Sequence, residues 1–72
     1  MTATYSIRVS LMLRGYPSRE AIATCTTSEP VMVGDYLPAL VEGYGALRVT
    51  QRRHGDGCVE LVAEAWAVEA AP

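Results

Sequence analysis

From Tyr5 to Leu13 the apolar side chains recur at every second position. Tyr5, Ile7, Val9, Leu11 and Leu13 are odd-numbered, while Ser6, Arg8, Ser10 and Arg14 are even-numbered, and Met12 is the one apolar intruder. Period two over this length predicts a strand with one dry face and one wet face, and a one-residue slip in its pairing would exchange the two. Whatever else the chain does, it must build a sheet with a buried side around this segment. Gly15-Tyr16-Pro17-Ser18 supplies turn chemistry, and Glu20–Thr27, rich in Thr, Ile and Ala, is short enough to be the returning strand of a first hairpin.

The middle of the chain reads differently. Glu29-Pro30 opens a connection, and Gly34-Asp35 predicts a helix start, with Asp35 accepting from the free amides of the first turn and Pro38 early enough to lose no helical bond. Leu37, Leu40, Val41 and Tyr44 form an apolar stripe at helical spacing that Gly43 and Gly45 terminate. About two turns of helix do not persist alone in water, so this one is expected to dock on the sheet. Ala46–Arg53 alternates again, and so does the segment after the His54–Gly57 break. Residues 58–69 also fit a helical stripe through Val59, Val62, Ala63 and Trp66, but a Gly-Asp-Gly turn directly after a strand favours a returning strand. The expected fold is therefore α+β, a ββαββ arrangement in which an antiparallel sheet of about four strands carries one short helix on one face, in a single domain spanning 1–72.

The stretch QRRHGDGCVE, residues 51–60, concentrates two arginines, the only histidine, an aspartate and a cysteine. A three-residue Gly55-Asp56-Gly57 loop places Arg48 opposite Glu64, Arg52 opposite Glu60 and His54 opposite Cys58. The other face then pairs Val49 with Ala63, Leu47 with Ala65 and Gln51 with Leu61. A two-residue loop spoils both faces, so the longer loop is expected, and the arginines are read as cross-strand partners of the glutamates. The same register puts Val62, Trp66 and Val68 on the face opposite the helix. A bare Trp marks a candidate interface, unless the last strand bends or becomes helical after Glu64 and tucks Trp66 into the core.

The reactive residues do not assemble into a recognisable site. A zinc centre drawn from His54, Asp56, Cys58 and Cys25 lacks the second ligand pair that structural sites show. A Cys58–His54 nucleophile at a hairpin tip has no pocket or oxyanion site. Glu60 and Glu64 have simpler roles as ion-pair partners, and the glycines do not open onto a helix as a phosphate-cradling loop does. The reading is a protein that is not an enzyme and has no cofactor and no metal. Its net charge of −2, with arginine as the only basic residue type, disfavours direct binding of free nucleic acid, and the tyrosines lack the basic surround of a base-stacking platform. No apolar run is long enough for a membrane span and no signal-peptide pattern opens the chain, so a cytoplasmic location is expected, where a Cys25–Cys58 disulfide is disfavoured.

What remains is binding. A chain of 72 residues has a thin core and a stability of about 4–10 kcal/mol, so a partner or a second copy contributes appreciably to the working state. By size, single-domain pattern, mild acidity and absence of a catalytic motif, the whole chain resembles the small inhibitors of phages and mobile elements, anti-CRISPR proteins among them. The resemblance implies blockade of a nucleic-acid-handling complex through its protein subunits, with Glu20, Glu29, Asp35 and Glu42 facing a basic groove. The expected role is a non-enzymatic protein that occupies a surface of a larger protein or nucleoprotein complex, with Trp66, Val62 and Val68 as further contacts and a homodimer as one possible state. The alternative is a small accessory subunit of a cellular enzyme complex.

Overall fold

The structure, a computed structural model, describes residues 2–55 and 59–68. Five strands, β1 (Ala3–Met12), β2 (Arg19–Thr27), β3 (Tyr36–Leu37), β4 (Leu47–His54) and β5 (Val59–Trp66), form one sheet in the order β2-β1-β5-β4-β3. The first hairpin forms as the alternation predicts, antiparallel from Ala3↔Thr27 to Leu11↔Arg19. Its turn is closed by the Tyr16 N–H donating to the Leu13 carbonyl at 3.1 Å, and Gly15 there adopts φ +83°, a left-handed conformation that suits a residue without Cβ. Residues 59–66 are strand, not helix. They pair antiparallel with β4 and parallel with β1, from Ser6↔Glu60 to Met12↔Trp66. The sheet is mixed and curls into half a barrel.

The expected α+β fold is therefore corrected: the described residues contain no helix, and the sheet has five strands and is not purely antiparallel. The segment expected to be helical instead pairs Tyr36 with Arg48 and Leu37 with Leu47, then runs as coil to a bridge between Tyr44 and Ala67. Two turns are too few to offset helix nucleation, and pairing with β4 satisfies the same backbone groups without it. Asp35 does cap, but it caps a turn: its Oδ2 accepts the Met32 N–H at 2.9 Å, and the Asp35 N–H donates to the Met32 carbonyl at 3.1 Å. The bond runs backward along the chain, to an amide three residues earlier, whereas a helix N-cap accepts from amides two or three residues ahead.

The concave face holds the core. Ile7, Val9, Leu47, Val49, Leu61 and Ala63 are almost wholly buried, with Tyr5, Leu37, Val31 and Ala65 around them. Ile7 lies between Ala23 and Leu61, and Val9 between Ala21 and Ala63. Alternating large and small side chains across neighbouring strands is how a curled sheet fills its narrowing interior. In place of a helix, two coil segments cover this face. Residues 28–35 carry the chain from β2 toward the opposite edge and bury Val31, while the later connection brings Leu40–Glu42 beside Ala21–Thr24. The first is anchored where the Gly34 N–H donates to the Val49 carbonyl at 2.8 Å and the Val49 N–H donates to the Asp35 carbonyl at 2.9 Å.

The second hairpin follows the expected register only up to Val49. Arg48↔Glu64 and Val49↔Ala63 pair as predicted, with Arg48 Nη1 3.8 Å from Glu64 Oε1. A β-bulge then places Thr50 as an extra residue, its hydroxyl donating to the Val62 carbonyl at 3.2 Å. Beyond it the partners are Gln51↔Val62, Arg52↔Leu61, Arg53↔Glu60 and His54↔Val59. The predicted pairs Arg52–Glu60, Gln51–Leu61 and His54–Cys58 are overturned, because one inserted residue inverts which side chains point inward. Arg53 takes the outward place beside Glu60, and Arg52 is turned onto the core side against Leu61. Its Nε is buried with no hydrogen-bond partner among the described residues.

Two stability outcomes follow from this packing. Leu61→Ala deletes a fully buried side chain at the centre of the sheet and should cost about 2–5 kcal/mol, leaving much of the protein unfolded in a urea titration. Arg52→Met keeps the apolar stem and removes the buried nitrogen, so it should stabilise by about 1 kcal/mol. A midpoint shifted to lower urea in Arg52→Met would show that the guanidinium is well satisfied.

Candidate functional site

The convex face and the two ends of the sheet are what the molecule offers to other molecules. At the centre of the convex face Arg8 lies between Glu20 and Glu60, with Nε–Oε1 distances of 3.4 and 3.9 Å. These are exposed pairs that contribute little to stability but leave the middle of the face with its charges matched internally. Val62 lies in this row, half-buried between Arg8 and Gln51. Of the expected contact residues, Glu20 is thus engaged by Arg8, and Asp35 is engaged by the Met32 amide. Glu29 sits past the end of β2, where its carbonyl accepts the Thr27 hydroxyl, and Glu42 lies in the coil beside Ala21–Thr24. The four acidic residues belong to separate elements, and the structure does not gather them into one acidic patch.

Trp66 and Val68 are brought together, at the end of the sheet where the first hairpin turns. Trp66 is 56% exposed and Val68 62% exposed. With Met12, Leu13, Arg14 and Ala67 they line a shallow cleft of about 350 Å³. On the other side of Leu13 a second cleft of about 320 Å³ is lined by Leu11, Tyr16, Pro17, Ser18, Arg19 and Tyr44. Leu13 lines both clefts, Arg14 the first and Arg19 the second; Leu11 and Tyr44 of the second belong to the core side of the sheet, while Met12 and Trp66 of the first belong to the other side. Trp, Tyr and Arg are the residue types that dominate binding hot spots.

The backbone beneath this surface is fixed. The Trp66 carbonyl accepts the Gly45 N–H at 2.9 Å, the Ala67 N–H donates to the Met12 carbonyl at 2.8 Å, and the Val68 N–H donates to the Gly43 carbonyl at 2.9 Å. Gly43 stands at φ +87°, a conformation that brings its carbonyl to the Val68 amide at little steric cost. The terminal residues of β5 are therefore held on both flanks while the indole projects from them. Tyr16, Leu13, Arg14 and Arg19 were not among the contact residues read from the sequence. The turn signal Gly-Tyr-Pro-Ser marked a reversal, but only the parallel β1–β5 pairing shows that this reversal lies beside Trp66.

The QRRHGDGCVE stretch provides less. His54 is exposed and opposite Val59, and Asp56, Gly57 and Cys58 lie outside the described residues, as does any question of a Cys25–Cys58 bond. Cys25 is half-buried and packs against the core beside Tyr5. Among the described residues no three His, Cys, Asp or Glu side chains stand close enough to hold a metal ion. No helix among them is long and apolar enough to cross a membrane. No family model matches the chain, and no curated protein or solved structure matches it either.

Because Trp66 is the only tryptophan, fluorescence excited selectively beyond the tyrosine absorption reports on this surface alone. The free protein should show the red-shifted emission of a solvated indole and be readily quenched by acrylamide. A blue-shifted, poorly quenched spectrum would place the ring in a dry environment and remove the surface described here.

Proposed function

We propose that the protein is a non-enzymatic binding protein that acts by occupying a surface of a larger macromolecular complex, with Trp66 as its anchor. The observation that carries this reading is an exposed indole on a backbone hydrogen-bonded from both sides. An indole carried on a fixed backbone has only its side-chain torsions left to order on binding, so more of its burial is realised as affinity. Arg14 and Arg19 beside the clefts favour a partner protein surface that combines an apolar pocket for the indole with nearby carboxylates. That complementarity runs opposite to acidic side chains entering a basic groove, and a net charge of −2 weighs against a phosphate backbone as the partner. A phage-type inhibitor and a cellular accessory subunit would both use this surface, and they differ in whether the captured complex loses or keeps its activity.

Affinity capture from the native host should recover a defined partner with the natural protein and lose it with Trp66→Ala. Once the partner is in hand, the substitution should weaken binding at least about 30-fold, equivalent to the ~2 kcal/mol of a hot-spot residue. Arg14→Glu should weaken binding mainly through slower association that depends on salt, while Glu29→Gln leaves it unchanged. Undiminished binding by a folded Trp66→Ala variant would assign the interface elsewhere. Inhibition of the captured complex on adding the protein selects the inhibitor reading, and unaltered or enhanced turnover selects the subunit reading.

A further inference from the structure

On the concave side of β2 the inward positions run Arg19, Ala21, Ala23 and Cys25, so an arginine heads a row of small side chains. Arg19 stands opposite Leu11, which packs against the core, while its neighbour Glu20 points to the other face, toward Arg8. Among the described residues no carboxylate comes within ion-pair distance of Arg19. Arg19 is instead one wall of the cleft of about 320 Å³ that Leu11, Leu13, Tyr16, Ser18 and Tyr44 also line. An inward charge on an edge strand discourages stray pairing with other chains. That role asks for nothing around the charge, whereas here two aromatic rings, two leucines and a hydroxyl share one concavity with it.

We infer that this cleft is a binding site for a small aryl carboxylate, with the Arg19 guanidinium taking the carboxylate and the leucines and tyrosines taking the aryl body. The volume falls at the lower end of the roughly 300–1,000 Å³ of small-molecule sites, which suits a ligand of one ring. A planar guanidinium matches a carboxylate through two parallel N–H···O bonds. A doubly charged phosphate would ask for more donors than one arginine and one serine hydroxyl, in a chain whose net charge is −2. Ring pairs gain attraction beyond their burial, so the tyrosines favour a flat aromatic body over an alkyl chain. The backbone behind these walls is set in advance. Tyr16 closes the hairpin turn by donating to the Leu13 carbonyl, and Tyr44 is fixed by its amide donating to the Val41 carbonyl at 3.1 Å and by its bridge to Ala67. The site lies on the concave side, away from the indole, and does not rest on the Trp66 reading.

Chemical-shift titration of the isotope-labelled whole chain with phenylacetate tests the site. The amides of Leu13, Tyr16, Ser18, Arg19 and Tyr44 should shift together and saturate with a Kd of about 1 mM, in keeping with a ligand of about ten non-hydrogen atoms in an open cleft. Phenethylamine keeps the ring and reverses the charge, and acetate keeps the charge without the ring, so each should bind at least about tenfold more weakly. Arg19→Gln should weaken phenylacetate binding by at least about tenfold and Tyr16→Ala by about threefold, while Arg14→Gln and Trp66→Ala leave it unchanged. The same spectra show by their dispersion that each variant is folded. Absence of a saturable shift in the natural protein, equal binding of phenethylamine, or shifts centred on Trp66 and Val68 overturns the proposal. Full binding by Arg19→Gln overturns it too, as does an equal loss in Arg14→Gln, which would mark attraction to the general charge of this end and not a site.

Discussion

The parallel pairing of β1 with β5 is the interaction on which the rest of the molecule depends. It joins two antiparallel hairpins that would otherwise be separate, and an isolated two-stranded hairpin is marginal in water. It sets Ile7 beside Leu61 and Val9 beside Ala63, which makes one core from two amphipathic faces. It also carries Met12 to Trp66 and so places the turn of the first hairpin beside the end of the last strand. Core and candidate binding surface are consequences of the same ladder.

Much of the strand pattern was legible because burial on one face enforces period two, and Tyr5–Leu13 shows that period cleanly. The first hairpin, Arg48 opposite Glu64 and Val49 opposite Ala63 all follow from local spacing. The helix expected through Leu37, Leu40, Val41 and Tyr44 was misread because three-and-four spacing also suits a chain that crosses a concave face and dips into it repeatedly. Of those four side chains only Leu37 is buried, while Val41 and Tyr44 are half-buried and Leu40 is exposed. A helix docked by its stripe would have buried them together. The parallel ladder itself leaves no local mark, since it joins segments some fifty residues apart.

The bulge at Thr50 shows why charge matching was a weak guide to register. Arg52 and Arg53 are adjacent and either can be set opposite Glu60, so the sequence supports two alignments of similar merit. The one adopted turns Arg52 toward Leu61, and Glu60 faces Arg53 while also lying near Arg8 of the other neighbouring strand. Exposed ion pairs are too weak to override the geometry of the strand that carries them. At the candidate surface, Trp66 and Val68 were readable as exposed apolar residues. Their neighbours Leu13, Arg14 and Tyr16 were not, because that proximity exists only once β1 and β5 lie side by side.

The position of β5 has a further consequence, for the order in which the molecule is completed. The strand nearest the C-terminal end of the described chain occupies the middle of the sheet. During synthesis the first hairpin, both crossing segments and β4 emerge before the element that unites them. Until residues 59–66 leave the ribosome, the apolar faces of β1 and β4 have no common core to enter. Sheets dominated by such distant pairings fold more slowly than those built from local contacts. The sheet therefore cannot be completed before its central strand is available, and the interval in which the faces of β1 and β4 stand open ends only with the arrival of β5.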